Sequence, residues 1–208
     1  MGKYVTAAEA VQVVKSGDRV YVQAAAATPT ILTKALTDRA SELRDVELCH
    51  LHTEGDAPYA NPELAESFHV NSFFIGANVR HTLKAGNGSY TPVFLSELPL
   101  LFRKNVVKLD VAFIHVSPPD SHGYCSLGVS VEASVAAIEN AKTVIAQVNP
   151  NMPRTFGDGI LHVSEIDYLV EVNVPIFTHD VTSFTAEEEK IGTYVASLIE
   201  NKSTLQMG

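Results

Sequence analysis

Val111-Ala112-Phe113-Ile114-His115-Val116 is apolar at every position but one and runs straight into Ser117-Pro118-Pro119-Asp120. A strand buried on one face alternates apolar and polar residues. A nearly continuous apolar run of this length suits a strand covered on both faces, as in a parallel sheet enclosed by helices. Thr143-Val144-Ile145-Ala146-Gln147-Val148 repeats the pattern and likewise stops at turn formers, Asn149-Pro150. Together they predict an α/β fold, an open and mainly parallel sheet covered by helices.

Working outward, further strands are expected at Arg19 to Gln23, Val46 to Leu51, Val70 to Ile75 and Tyr168 to Val172, with the run at 111–116 starting at Leu109. Helix signals alternate with them. Thr6-Ala7-Ala8-Glu9 has capping-box spacing and opens a helix that Gly17 can close. Thr28-Pro29 places a capping hydroxyl before a proline, and Ile31, Leu32, Ala35 and Leu36 follow at helical spacing. Helical patterns also cover Asn78 to Lys84, Ser96 to Lys104, Val131 to Asn140 and Thr185 to Asn201. The acidic run Glu187-Glu188-Glu189 follows Thr185 in a second capping box, so those carboxylates complement a helix N-terminus. Internal repeats and linkers are lacking, and 208 residues suffice for one sizeable core.

Charge and composition narrow the function. A net charge of −9 and a pI near 5.3, with Arg103-Lys104 as the largest basic cluster, argue against a nucleic-acid partner. No apolar run approaches the ~20 residues of a membrane span, so no membrane association is expected. The opening Met1-Gly2-Lys3-Tyr4 leads directly to a helix signal without a secretory leader, which predicts a cytoplasmic protein. Cys49 and Cys125, far apart in sequence, read as reduced and buried thiols.

The loops after the strands carry whatever chemistry exists. Asp120 and His122 read either as an acid/base pair or as turn residues whose side chains bond nearby amides. Arg154 is a candidate contact for a carboxylate or phosphate, or a surface arginine. His50, His52 and Glu54 alternate and would share a strand face, but lack a fourth metal ligand. Nucleotide-binding glycine motifs and a Gly-x-Ser-x-Gly elbow are absent. Ser203-Thr204-Leu205-Gln206-Met207-Gly208 reads as a short strand ending on a glycine, or as a frayed tail.

Several blocks share one resemblance. Ser16-Gly17-Asp18-Arg19-Val20, Pro92-Val93-Phe94 with Glu97 and Pro99, Val116-Ser-Pro-Pro-Asp120 with Gly123-Tyr-Cys-Ser-Leu-Gly128, His162-Val-Ser-Glu-Ile-Asp167, and Ala196-Ser-Leu-Ile-Glu200 with the terminal Leu205-Gln206-Met207-Gly208 resemble the N-terminal half of the acetyl-CoA hydrolase/transferase family. The similarity spans essentially the whole chain and points within the family to 4-hydroxybutyrate or butyrate CoA-transferases. It implies that residues 1–208 form an N-terminal CoA-transferase domain whose partner, a catalytic C-terminal domain, lies outside this chain. It further implies that Gly208 begins a loop contacting coenzyme A and that Gln206 points into the cleft.

The same resemblance places the catalytic glutamate in the second half, so no catalytic residue and no metal is assigned here. Coenzyme A and acyl-CoA enter as substrates, with no covalently bound cofactor. Gln23, Ala24, Pro118, Pro119 and Asp120 would line the acyl side of the cleft. The run Ala24 to Ala27 departs from the bulkier residues that members carry in this turn, and reads equally as packing or as substrate contact. Three functions follow as expectations: CoA transfer between short carboxylic acids, acyl-CoA hydrolysis on the same fold, or a silent binding domain. Apolar surface left without its partner domain predicts self-association, and a homo-oligomer is expected.

Overall fold

The computed structural model describes residues 2–179 and 183–206. The chain divides into two compact units, Met1–Phe177 and Thr178–Gly208. Along the first unit run β1 (Lys3–Tyr4), α1 (Ala7–Ala10), β2 (Arg19–Val22), α2 (Thr30–Thr37), β3 (Val46–His50), β4 (Phe68–Ser72), α3 (Thr82–Ala85) and β5 (Gly88–Tyr90). They are followed by α4 (Leu98–Arg103), β6 (Leu109–Val116), β7 (Tyr124–Ser126), α5 (Ser134–Asn140), β8 (Ala141–Val148), β9 (Ile160–His162) and β10 (Tyr168–Glu171).

Eight strands form one sheet in the order β1-β10-β8-β6-β2-β3-β4-β5, every pairing parallel, while β7 and β9 make a separate antiparallel pair. The expected α/β architecture is therefore present, and the apolar runs explain its centre. In β6, Val111 and Phe113 pack with Val20, Leu48 and Val70 in one cluster, while Ala112 packs with Tyr21, Leu98 and Phe102 in another. Ile114 and Val116 join Val144, Ala146 and Val148 in a third. Both faces of the strand are thus covered, which is why its sequence does not alternate.

The strand order fixes where a ligand can sit. From β2 the chain steps outward through β3, β4 and β5, then returns with β6 on the other side of β2 and steps away through β8 and β10. β2 and β6 consequently flank the topological switch point, the place in open α/β sheets where loops leave in opposite directions and open a crevice beyond the carboxyl ends.

Local departures from the sequence reading have physical causes. The Thr6 capping box forms, with the Glu9 amide donating to Thr6 Oγ1 at 3.2 Å. The helix, however, lasts only through Ala10 and continues as a 3₁₀ turn at Val11–Val13, because the β-branched valines are poor helix formers. Thr28 does not cap α2. Its hydroxyl donates to Ala25 O at 2.7 Å and accepts from the Glu54 amide at 2.9 Å. The α2 N-terminus is capped instead from β8, where Gln147 Oε1 accepts from the Ile31 amide at 3.1 Å.

Described by itself, the second unit contains α6 (Ala186–Ser197), opened by the expected capping box in which Thr185 and Glu188 exchange hydrogen bonds. The amide and hydroxyl of Thr185 hold the Glu188 carboxyl below its ordinary pKa. Ser203 to Gln206 form no strand, against the first of the two readings of the terminal block, and Met207 and Gly208 lie outside the described residues. Among the described residues no helix is long and apolar enough to cross a membrane.

Candidate functional site

At the switch point the regular pairing of β2 with β6 ends at Val22 and Phe113, and Gln23 follows. The Gln23 amide still donates to Phe113 O at 3.0 Å. Beyond that its side chain takes over the ladder. Oε1 accepts from the His115 amide at 2.6 Å, while Nε2 donates to Ser130 O at 2.6 Å and to Leu127 O at 3.3 Å. Gln23 is fully buried, so its amide is spent on the protein. The next residues turn over the strand ends. Ala24 N–H donates to Glu132 Oε1 at 3.3 Å, and Ala25 N–H donates to His52 O at 2.8 Å. Ala25 sits at φ 52°, in the left-handed region that non-glycine residues avoid.

A pocket of about 420 Å³ lies on this side of the switch point. Three walls come from strand ends: Ala24 and Ala25 beyond Gln23 at the end of β2, Leu51 and His52 directly after β3, and Phe73 and Phe74 directly after β4. Val93 and Leu95 from the chain after β5 complete an apolar wall, and Ser130 and Glu132 supply the polar part. The His52 ring stands edge-on to Phe74, centroids 5.8 Å apart. Small residues beneath aromatic walls leave room for a short chain.

Glu132 is the charged group of this lining, and its carboxylate is held from several directions. Oε1 accepts from Tyr21 Oη at 3.2 Å, Ser134 Oγ at 3.3 Å and the Ala24 amide, while Oε2 accepts from Ser130 Oγ at 2.7 Å. Burial, and then the negative charge of Glu132, push the Tyr21 hydroxyl well above its ordinary pKa.

Pro118 and Pro119 line a different pocket, of about 530 Å³, with Tyr4, Val148, Pro150 and Glu171 at the carboxyl ends of β1, β8 and β10. Asp120 is among the lining residues of neither. Its Oδ1 accepts from the amides of His122 and Tyr124 at 2.9 Å each, and its Oδ2 pairs with Arg154 at 2.7 Å. Hydrogen bonds from these two amides, together with the Arg154 charge, hold the Asp120 carboxyl below its usual range. Asp120 thus acts as the turn residue of the two sequence readings, and the carboxylate that Arg154 meets is Asp120 itself.

The alternating histidines diverge because β3 ends at His50. His50 is buried, with Nδ1 2.7 Å from Leu51 O and Nε2 3.2 Å from Tyr59 Oη, and burial pulls its pKa down to about 4. His52 turns into the pocket instead. Among the described residues no group of three or more His, Cys, Asp or Glu side chains is placed to hold a metal. Cys49 and Cys125 are buried and unbridged, and burial raises both thiols, Cys125 to about 11.

Of the residues expected to line the acyl side, the structure puts Ala24 in the apolar pocket, Gln23 behind it, and Pro118 and Pro119 in the second pocket. Gln206 lies in irregular backbone of the second unit, and Gly208 is outside the described residues. The aromatic walls and Glu132 were not singled out as ligand contacts from sequence. For the aromatic walls the available signal was position, immediately after β4, whereas Glu132 lies in the segment between β7 and α5 and had no such signal.

The model of the acetyl-CoA hydrolase/transferase N-terminal domain matches residues 1–178. The chain belongs to this family. Its relatives include a succinyl-CoA:acetate/propanoyl-CoA:succinate CoA transferase from Fasciola hepatica, 42% identical over 93% of this chain and 41% of that protein. A 4-hydroxybutyrate coenzyme A transferase from Clostridium kluyveri is 40% identical over 99% of this chain and 48% of the relative. Among solved structures, RipA from Yersinia pestis superposes with a TM-score of 0.92 at 32% identity, covering 99% of this chain and 50% of that one. The 4-hydroxybutyrate CoA-transferase of Porphyromonas gingivalis gives 0.82 at 33% identity, over 99% and 48%. The chain thus spans about half the length of the family members it matches.

Proposed function

We propose that residues 1–208 are the N-terminal half of a CoA-transferase that moves CoA between short-chain carboxylic acids such as 4-hydroxybutyrate, butyrate and acetate. The observation that carries this reading is the apolar pocket at the carboxyl ends of β2, β3 and β4, beside the switch point. It has the size and lining for a short acyl chain, and the family match supplies the chemistry. In that chemistry a glutamate of the second half attacks the acyl-CoA carbonyl and expels CoA thiolate to give a mixed anhydride; the thiolate then attacks the glutamyl carbonyl and releases the first acid, and an incoming carboxylate runs the same two steps backward on the glutamyl-CoA thioester. Carboxylates are weak nucleophiles, so the wall built by this chain serves to hold the acyl group and exclude water. Gly208 and Gln206 keep their proposed place at the coenzyme A end, and a cytoplasmic homo-oligomer is the setting in which the complete enzyme would work.

The test is CoA transfer by the complete two-half protein, with butyryl-CoA as donor and acetate as acceptor. Transfer that rises with acetate, together with a CoA adduct on a glutamate of the second half by mass spectrometry, is the expected result. Turnover of butyryl-CoA at a rate independent of acetate would make the protein a hydrolase. Absence of turnover by the folded whole would leave this chain a binding domain.

A further inference from the structure

We propose that the apolar pocket accepts acyl chains whose far end is neutral, methyl or hydroxyl, and rejects a second carboxylate, with Glu132 as the residue that decides. This deepens the reading above and rests on it for the identity of the occupant. Percent identity does not settle the matter, because the relative at 42% is named for a dicarboxylic acid together with acetate and a propanoyl group, and the one at 40% for a hydroxy acid. The charge of the lining does.

Among the described residues no lysine or arginine lines the pocket, and its two ionisable side chains are the Glu132 carboxylate and the His52 imidazole, whose ring is stacked edge-on against Phe74. A dicarboxylic acyl group would bring a second anion into an apolar space against the Glu132 carboxylate, with no lysine or arginine among the described lining residues to offset repulsion or lost hydration. A methyl end meets Phe73, Phe74 and Leu51 instead. A hydroxyl end has a partner as well. Glu132 Oε1 already takes three donors, from Tyr21, Ser134 and the Ala24 amide, whereas Oε2 takes one, from Ser130 at 2.7 Å, and a carboxylate oxygen accepts more than one. The Ala24 amide ties this carboxylate to the turn after β2, so Glu132 and the alanine wall are positioned as one piece.

Three four-carbon acids that differ only at the far end make the test: butyrate, 4-hydroxybutyrate and succinate, titrated into the ¹⁵N-labelled 208-residue chain. The Ala24, Ala25 and Leu51 amide resonances should shift with butyrate and 4-hydroxybutyrate at least tenfold more tightly than with succinate. Glu132→Gln keeps the acceptor oxygen for Ala24 and Tyr21 while removing the charge, and should raise the succinate-to-butyrate affinity ratio at least tenfold. Glu132→Asp, which keeps the charge, should leave succinate disfavoured, so a general disturbance of the wall is told apart from the loss of charge. Equal binding of succinate and butyrate by the unaltered chain, or an unchanged ratio in folded Glu132→Gln, would overturn the proposal, as would binding of none of the three acids. CoA transfer by the complete protein is scored separately. A pocket that selects neutral ends in a protein without transfer sinks the transferase reading alone, and transfer without this selectivity sinks only the role of Glu132.

Discussion

The two sides of the switch point end their strands in opposite ways. After β2, β3 and β4 the chain turns off through alanines, a leucine and phenylalanines and leaves an apolar space. After β6 the loop is rich in groups that look reactive, yet they are consumed internally. Asp120 accepts from two amides and pairs with Arg154, and Ser126 Oγ accepts from the amides of Gly128 and Thr155 at 3.1 Å each while donating to Thr155 O. The contrast is that the polar loop spends its groups on its own fold while the plain turns leave room, and a ligand needs room and unspent partners rather than a concentration of chemistry.

Gln23 divides the two sides, and breaking it should have the largest effect. Gln23→Leu fills the volume but leaves the His115 amide and the Ser130 carbonyl unpaired, for an expected loss of about 4 kcal/mol in urea unfolding, several groups at ~1–3 each. A loss under 1 kcal/mol would mean that the sides are not coupled through this amide. Acid should weaken both sides together. His50 stands beneath the pocket side and His115 beneath the crevice, and burial depresses each to about 4. An unfolded histidine titrates near ~6.5, so between there and about 4 the unfolded chain binds more protons, and stability complete above pH 6.5 drains away as pH falls. Unfolding free energies from urea titrations at pH 7.5 and 5 should therefore differ by about 4 kcal/mol, ~2 for each ring, and equal values would show that neither ring is held neutral.

The pocket walls should respond in function more than in stability. Phe74 is 60% exposed, so Phe74→Ala should change unfolding by no more than ~0.5 kcal/mol while weakening butyrate binding several-fold. A large stability loss would make this wall core rather than site. Smallest of all, Ala25→Gly should stabilise the chain by about 0.5 kcal/mol, because glycine adopts the left-handed turn at φ 52° without the Cβ penalty. Thermal unfolding would show this, and a fall in melting temperature would mean that the methyl group is worth more as packing than its backbone costs.

How much the sequence disclosed depends on where each interaction comes from. β6 and β8 were legible because burial on both faces is written into consecutive apolar residues. β5 was not, since Gly88-Ser89-Tyr90 has weak strand character and becomes a strand only by pairing with Val70 to Ser72. The α2 cap was misread for the same reason. Thr28 has the right local chemistry, but the partner of the Ile31 amide, Gln147, lies 116 residues away. Glu132 was passed over because its meaning comes from Tyr21 and Ala24, more than 100 residues earlier. The resemblance located the family, and Ala24 was expected on the acyl side, whereas the aromatic walls required the strand order to bring three loop starts together.

The pairing of β1 with β10 sets an order of assembly during synthesis. Lys3 and Tyr4 pair with Tyr168 and Leu169, so β1, the earliest made of the sheet's eight strands, cannot take its place until β10 has followed. At ~5–20 residues per second that wait is on the order of 10 s, long enough for β2 to β5 to pair beforehand. The sheet therefore grows from its β2–β5 half toward the opposite edge, and β1, made before the other seven strands, is the last to be seated.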